Sequence, residues 1–214
     1  MNGQALTTPA DPTQLVVFGE ADPMPAWVER WENHACGRSQ VGPLRVCSGP
    51  SAVCGTGDDL QAIARSAATA PVLVLPHTAA APRRIVVALQ DLPADEPVLH
   101  AATDAARALG AAVLVVHAVP TSFGERSIAL PEAVGRGEEL LALGARLVRR
   151  RCPTVLVGRS LVREWPHEAV AHIRETDLLI LGGPHPGTRA GLGLTAQAAV
   201  AHAPGSVLLV PRSG

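Results

Sequence analysis

A glycine-rich loop near the end of the chain combines features that can bind an anion. The segment GGPHPGTRAGLGLT, residues 182–195, follows the aliphatic run DLLIL and precedes AQAAVAHAPGSVLLVP. A loop between a strand and a helix can present backbone N–H groups and the positive end of the helix dipole to a phosphate. Phosphate binding is therefore the first chemistry that these residues suggest.

Two prolines argue against a phosphate site in this loop. Pro184 and Pro186 carry no N–H, and each biases the residue before it toward an extended conformation. Each hydrogen bond lost to a charged phosphate costs about 1.5–3 kcal/mol, so losing two or three weakens a micromolar ligand to about millimolar. Charge from His185 or Arg189, or the hydroxyl of Thr195, would compensate in part, and phosphate binding therefore stays open as the alternative.

The composition excludes several other chemistries. All 18 basic residues are arginine, so the chain lacks the lysine that a P-loop, a protein kinase or a pyridoxal enzyme needs. The net charge is −1, and the aromatic residues are three Trp, two Phe and no Tyr. Neither a basic field nor stacking platforms exist for nucleic acid, and we expect no nucleic-acid partner.

Candidate metal and catalytic residues do not form a convincing group. No cysteine pair has C-x-x-C spacing, and His167 and His172 lie about 140° apart on a helix, too far to share a metal. His117 is interpreted as a core or strand-end residue, and Asp91 and Asp95 as turn and helix-start residues, with a cation site as the alternative. We therefore expect no metal and no catalytic residue.

Strands and helices alternate along residues 83–211. β-Branched apolar runs suit buried parallel strands, and residues such as Val98, Ala102 and Ala105 recur at helical spacing. Strands are predicted over 83–89, 111–119, 154–158, 177–182 and 206–211, and helices over 94–110, 138–151, 165–176 and 195–203. Residues 120–137 are predicted to form a long loop because they contain three glycines and two prolines. The pattern predicts an α/β fold with a doubly wound, five-stranded parallel sheet.

The first 80 residues resemble a shortened, degenerate copy of this unit. QLVVFGEADP (14–23) aligns with RIVVALQDLP (84–93), and LQAIARSAATAPVLVLP (60–76) aligns with TAQAAVAHAPGSVLLVP (195–211). Between them, MPAWVERWENHA is predicted to be a helix and PLRVCSG a strand. We therefore divide the chain into a truncated unit, 1–80, and a complete domain, 81–214. The shorter unit is too small to bury a core alone and should pack on the second.

A series of apolar segments along the chain resembles a known family. The runs RRIVVAL, VLHAATDAARALGAAVLVVHAV, TDLLILGG and AQAAVAHAPGSVLLVP together resemble a universal stress protein (UspA-like) domain over residues 83–211. The resemblance implies a five-stranded parallel sheet of the adenine nucleotide α-hydrolase-like type, with helices on both faces. Members commonly pair through their last strands, so strands 72–75 and 207–210 should lie side by side within this chain.

The resemblance also implies where a nucleotide would bind. Nucleotide-binding members hold ATP at the carboxyl ends of the strands, with a D-G-S-like turn after the first strand and a later G-x2-G-x9-G-[ST] motif. Carried over position by position, the cofactor-binding residues are Ala88, Gln90, Ala118, Gly182, Gly183, His185, Gly193 and Thr195. Gln90 replaces the family's Asp, His185 replaces its second glycine, and Leu194 follows Gly193 directly. These departures predict an eroded site.

The sequence therefore favours a non-enzymatic stress-response or regulatory module that acts through protein contacts and holds no cofactor. An ATP- or AMP-binding switch that uses residues 182–195 is the alternative, and an enzyme of the wider α-hydrolase group is a third, weaker one. The expected partners are proteins of unidentified kind, including a second copy in a homodimer, and not a membrane. The N-terminus lacks the apolar core of a signal peptide, and we expect a cytoplasmic protein.

Overall fold

A computed structural model describes residues 14–19, 24–35, 42–47, 57–76, 79–120, 129–184 and 191–213. The strands are β1 Gln14–Phe18, β2 Gly42–Cys47, β3 Val72–Val74, β4 Arg84–Ala88, β5 Ala112–Ala118, β6 Val157–Val162, β7 Asp177–Gly182 and β8 Ser206–Val210. The helices are α1 Ala26–Ala35, α2 Gly57–Ala67, α3 Glu96–Leu109, α4 Ala129–Arg151 and α5 Leu194–His202, with a short 3₁₀ turn at Ala169–His172.

All described strands belong to one sheet. Its order is β2-β1-β3-β8-β7-β4-β5-β6. The five strands β4 to β8 are parallel to one another, which confirms the predicted five-stranded parallel sheet of residues 83–211. Because parallel strands place their carboxyl ends at one edge, the segments after β4, β5 and β7 meet there.

The N-terminal segment extends this sheet across the last strand. β3 pairs with β8 in antiparallel register, with Val72 opposite Leu209 and Val74 opposite Val207. β1 lies parallel to β3 on its other side, and β2 is parallel to β1. The expectation that residues 72–75 and 207–210 lie side by side is therefore confirmed, and the edge of β8 is covered by the chain's own N-terminal strands.

Helices cover both faces of the sheet. On one face, α1 packs against α3, and both share a core with α4 that includes Trp27, Trp31 and Leu141. On the other face, α2, the 3₁₀ turn and α5 share a second core that includes Ile63 and Ala199. The N-terminal segment thus contributes one helix to each core, in which side chains such as Trp27 and Ile63 are buried together with those of the larger domain.

The predicted loop over 120–137 is wrong from residue 129 onward, where α4 already begins. Pro131 falls in the first turn of the helix, where a missing N–H leaves no hydrogen bond unmade. Gly137 lies against β5 and β6, and a Cβ there would come within 2.8 Å of both the His117 ring and a methyl group of Leu161. This glycine therefore permits close packing of a helix and does not mark a loop.

Two further sequence predictions need correction. The strand predicted at 154–158 lies at Val157–Val162, and as the edge strand of the sheet it is partly exposed, so it lacks a continuous apolar run. The helix predicted at 165–176 is only the 3₁₀ turn Ala169–His172. Val170 and Ile173 are the two residues of the predicted helix that are buried, which is too few for an apolar stripe along a longer helix.

An ion pair joins the amino-terminal ends of β4 and β7. Arg84, at the start of β4, donates through Nε to Oδ1 of Asp177 at 3.0 Å and through its terminal nitrogen to Oδ2 at 2.5 Å. Asp177 is 2% exposed and also accepts from the N–H of Arg174 at 2.8 Å. The hydrogen bond to Asp177 raises the pKa of Arg84, against a smaller lowering by burial.

Candidate functional site

A cavity of about 600 Å³ lies at the carboxyl ends of β4, β5 and β7, beside the start of α5. Apolar groups form much of its wall, among them Ala88, Val116, Leu181 and Ala196. Polar groups enter from Gln90, His117, Thr195 and Arg212. The position is the one at which open α/β sheets bind ligands, and the volume is within the range of small-molecule pockets.

The cavity brings together most residues that the sequence suggested. Those lining it are Ala88, Gln90, Ala118, Gly182, Gly183, Gly193 and Thr195. His185 lies outside the described residues. Their convergence follows from the parallel sheet, since each residue comes at or just after the end of a strand or at the start of α5. That these residues hold a nucleotide stays a prediction.

The described beginning of the glycine loop has no spare backbone donor. The N–H of Gly183 donates to the carbonyl of Val210 at 2.7 Å, and Pro184, which also lines the cavity, has no N–H. Gly183 also lies against α2, where a Cβ would be 2.6 Å from the carbonyl oxygen of Ala67. The described start of the loop, at Gly183, is therefore held between β8 and the N-terminal segment.

The other end of the loop meets the start of α5. Gly193, Leu194, Thr195 and Ala196 all line the cavity, and no side chain caps the helix at Gly193. The first N–H groups of a helix and its dipole attract anions. Leu194, which stands where the family motif has Ser or Thr, is 73% exposed at this rim. This end of the cavity thus keeps the helix terminus but has an apolar residue at the position of the hydroxyl.

The buried carboxylate of Asp95 pairs with Arg212, which lines the cavity and comes from the opposite end of the domain's sequence. Asp95 is 0% exposed, and its Oδ2 accepts from the N–H of Gln90 at 2.6 Å and from that of Asp91 at 3.0 Å. Its Oδ1 accepts from Nε of Arg212 at 2.6 Å, and Arg212 also donates to the side-chain oxygen of Gln90 at 3.1 Å. The cation site considered for Asp91 and Asp95 does not fit, because the Asp95 carboxylate already has three N–H donors.

Arg212 is the residue that sequence reasoning missed. It follows the last strand and lies 117 positions after Asp95 in the sequence. Its side chain packs over Gly182, and a Cβ at residue 182 would clash with Nε of Arg212. No local pattern links Arg212 to Asp95, and the only available signal was its position after the carboxyl end of β8.

His117 occupies a structural position at the end of β5. Its Nδ1 lies 2.9 Å from the carbonyl oxygen of Leu89, and because a carbonyl only accepts, Nδ1 carries the proton. The ring also borders a second cavity of about 810 Å³ toward α4, whose wall includes Arg136, Glu139 and Arg146. The interpretation of His117 as a strand-end residue agrees with this geometry.

The described ranges contain neither a cluster of metal ligands nor a membrane-spanning helix. Those ranges hold no group of three or more His, Cys, Asp or Glu side chains arranged to bind a metal ion. Within the same ranges, none of the helices combines the length and apolar character needed to cross a bilayer.

Comparison with known proteins identifies the larger domain. The sequence model of the Universal stress protein family matches residues 82–211. A solved universal stress protein from Archaeoglobus fulgidus shares 22% identity at a TM-score of 0.50, over 63% of this chain and 99% of that one. A universal stress protein solved in complex with cAMP shares 17% identity at a TM-score of 0.51, over 63% of this chain and 100% of that one.

A third structure aligns with both parts of the chain. It is described as a universal stress protein from Pseudomonas aeruginosa UCBPP-PA14 and shares 13% identity at a TM-score of 0.51, over 94% of this chain and 93% of that one. No curated protein matches the sequence. At these identities the structural comparisons establish a shared fold.

Proposed function

This chain belongs to the universal stress protein family, and on that premise we propose that it is a non-enzymatic regulatory protein that no longer holds ATP. It is a stress-response protein by family membership. In this proposal it works in the cytoplasm and acts through contacts with other proteins. Its nucleotide cavity persists as part of the fold while the groups that would hold phosphate have been lost.

One observation carries this proposal: the described start of the glycine loop offers a phosphate no backbone donor. The N–H of Gly183 is committed to Val210 at 2.7 Å, and Pro184 has none. At the far end, Leu194 supplies a side chain that cannot hydrogen-bond. Since each hydrogen bond to a charged group contributes about 1.5–3 kcal/mol, these losses remove most of the affinity of a micromolar ligand.

Exposed apolar side chains near the cavity support a role in protein contacts. Leu194 lies on its rim and is 73% exposed, and Trp165, which precedes the cavity residue Pro166, is 43% exposed. Large aromatic side chains on a surface are frequent anchors of protein interfaces. These two residues are the contacts that we assign first to a partner.

The N-terminal segment fits the interpretation of a shortened second copy. Because β3 and β8 are antiparallel, a two-fold axis perpendicular to the sheet between them would exchange the two strands and leave each face of the sheet on its own side. Under it, α1 corresponds to α3 on one face and α2 to α5 on the other, as their shared cores require. β1 lies directly beside β3 whereas β7 separates β4 from β8, so the copy lacks a strand there. We propose that residues 1–80 stand in for the second subunit of a family dimer.

An adenine nucleotide switch is the second candidate, and the cavity itself favours it. A volume of about 600 Å³ remains at the strand ends, and the uncapped start of α5 borders it. The structural neighbour in complex with cAMP shares the fold. In this alternative, ATP or AMP binds between Gln90 and Thr195 and changes the surface that a partner recognises.

Titration calorimetry separates the two functions. ATP, AMP and cAMP are titrated into the purified chain, and the small molecules that copurify with it are extracted and identified. The proposal expects no saturable binding below millimolar nucleotide and no copurified nucleotide. A variant Leu194→Ser, which restores a hydroxyl after Gly193, provides the matched comparison. Stoichiometric binding of ATP or AMP to the native chain at micromolar concentration would establish the switch instead.

A further inference from the structure

The hydrogen bonds of Asp95 are the least expected feature of the cavity. A buried aspartate just before a helix ordinarily caps it by accepting from the N–H groups of its first turn. Asp95 occupies the N-cap position of α3, but its side chain makes no capping hydrogen bond. The carboxylate turns instead to the segment that follows β4, so helix capping does not explain why an ionisable group is completely buried here.

The partners of Asp95 form a ready-made oxyanion site. They are the successive N–H groups of Gln90 and Asp91, both donating to Oδ2, and the guanidinium of Arg212, donating to Oδ1. Consecutive N–H groups with an arginine are an arrangement that proteins use to bind phosphate or carboxylate. Gln90 and Arg212 also line the cavity, so these donors meet at the wall that a bound ligand would touch.

The guanidinium is held in this place from three sides. Arg212 is 12% exposed, donates to both Asp95 and the side chain of Gln90, and packs over Gly182 at the end of β7. Among the described residues that line the cavity, Arg212 is the one with a permanent positive charge. Asp95 neutralises the charge of Arg212. The described residues that line the cavity therefore provide no unpaired cation for an incoming anion.

We propose that Asp95 is an internal anion that occupies this oxyanion site and closes the cavity to ligands bearing a phosphate on that side. The inference deepens the proposed loss of nucleotide binding and concerns the same cavity, but it rests on the donors after β4 and β8 and not on the glycine loop. A carboxylate within the chain loses no translational freedom when it binds. Free phosphate at millimolar concentration therefore does not displace it.

Binding of inorganic phosphate to charge-removing variants tests the proposal. Asp95→Asn keeps the size of the side chain, and Asp95→Ser shortens it so that the two N–H groups and Arg212 face an open space. We expect either variant to bind phosphate at least about tenfold more tightly than the native chain, since a charge-assisted hydrogen bond becomes available. Calorimetry and the rise of Tm with phosphate, at constant ionic strength in chloride, measure the effect.

Asp91→Asn is the matched control. It removes the same charge from an exposed neighbouring residue and leaves the Asp91 N–H in place, so it should bind phosphate no better than the native chain. If a residue 95 variant does not fold in chloride, refolding is repeated in phosphate, and recovery of the fold supports the proposal.

Equal phosphate binding by the residue 95 variants and Asp91→Asn, or no recovery of an unfolded variant by phosphate, would overturn the inference. The result is separable from the proposed function. Tight ATP binding by the native chain contradicts the loss of nucleotide binding, whereas the response of the Asp95 variants to phosphate alone decides whether Asp95 occupies an anion site.

Discussion

The backbone of Gly183 lies against the carbonyl oxygen of Ala67, so closely that a Cβ at residue 183 would be 2.6 Å from that oxygen. Ala67 is the last residue of α2 in the N-terminal segment, and Gly183 begins the glycine loop of the larger domain. The contact means that the N-terminal segment supports the cavity directly. It also gives Gly183 a packing role that is independent of any ligand.

The substitution Gly183→Ala tests this contact. Because the opposing atom belongs to the helix backbone, it cannot move away cheaply, and we expect a loss of about 2 kcal/mol in the free energy of unfolding. Urea denaturation measures the loss. The control is Gly191→Ala in the same loop, where a Cβ would have no neighbour within 4 Å and stability should change little. Equal effects at residues 183 and 191 would contradict the packing role.

Two glycines of α4 provide a second matched pair. At Gly135 a Cβ would meet nothing within 4 Å, so Gly135→Ala should stabilise the chain by about 0.5–1 kcal/mol through helix propensity. At Gly137 a Cβ would meet the His117 ring, which is held by its hydrogen bond to Leu89. We expect Gly137→Ala to destabilise by about 1–3 kcal/mol. Thermal and urea unfolding check both signs, and stabilisation by Gly137→Ala would show that α4 does not pack as described.

The ion pair of Arg84 and Asp177 should contribute to the free energy of unfolding, and this contribution should not change with pH in the alkaline range. The hydrogen bond to Asp177 is the largest cause that raises the pKa of Arg84 above its ordinary value. A raised pKa in the folded state means that the contribution is complete below the unfolded pKa and is lost only above it. Arg84→Met leaves the buried carboxylate of Asp177 with one N–H donor from Arg174, and we expect a cost of about 2–3 kcal/mol.

The measurement compares the free energies of unfolding of native and Arg84→Met proteins from about pH 7 to about pH 10, well below the arginine pKa. The difference between the two proteins should stay constant over this window. A difference that shrinks toward pH 10 would show that Arg84 loses its proton there and would contradict the raised pKa.

Removal of the N-terminal segment should expose a pairing edge. β8 is covered by β3 in the full chain, and a fragment of residues 82–214 would leave the β8 backbone groups unpaired. Open strand edges favour pairing with another chain, and we expect this fragment to form an antiparallel dimer through β8. Sedimentation analysis of the fragment beside the full chain measures the association. A fragment that stays monomeric at high concentration would contradict the proposal that residues 1–80 replace a second subunit.

Much of the fold could be predicted from local patterns. Buried parallel strands are apolar on both faces, so β4, β5, β7 and β8 are visible as short aliphatic runs, and α3 as a helical repeat that ends at Gly110. The errors occurred where this signal fails. The edge strand β6 is partly exposed, and Gly137 in α4 serves packing against His117, which no local pattern distinguishes from a glycine in a loop.

The candidate site was predictable where it follows strand ends or lies at the start of α5. Ala88, Ala118 and Gly182 were predicted from the family resemblance, and each stands at the carboxyl end of a strand in the parallel sheet. Arg212 could not, since its partner Asp95 is 117 residues away. Asp95 itself was interpreted as a helix-start residue, because its sequence position is the same whether the carboxylate caps α3 or turns toward Gln90.

The sequence by itself determined the parallel sheet and the edge at which the cavity lies, because hydrophobic periodicity is a local property of the chain, and its resemblance to the family implied the pairing of the two last strands. Only the tertiary structure decided which hydrogen-bond donors at that edge are already used. That outcome depends on angles and distances between Asp95, Gln90 and Arg212, and on the contact of Ala67 with Gly183. These atoms meet only when the sheet has formed, and no spacing in the sequence encodes their approach.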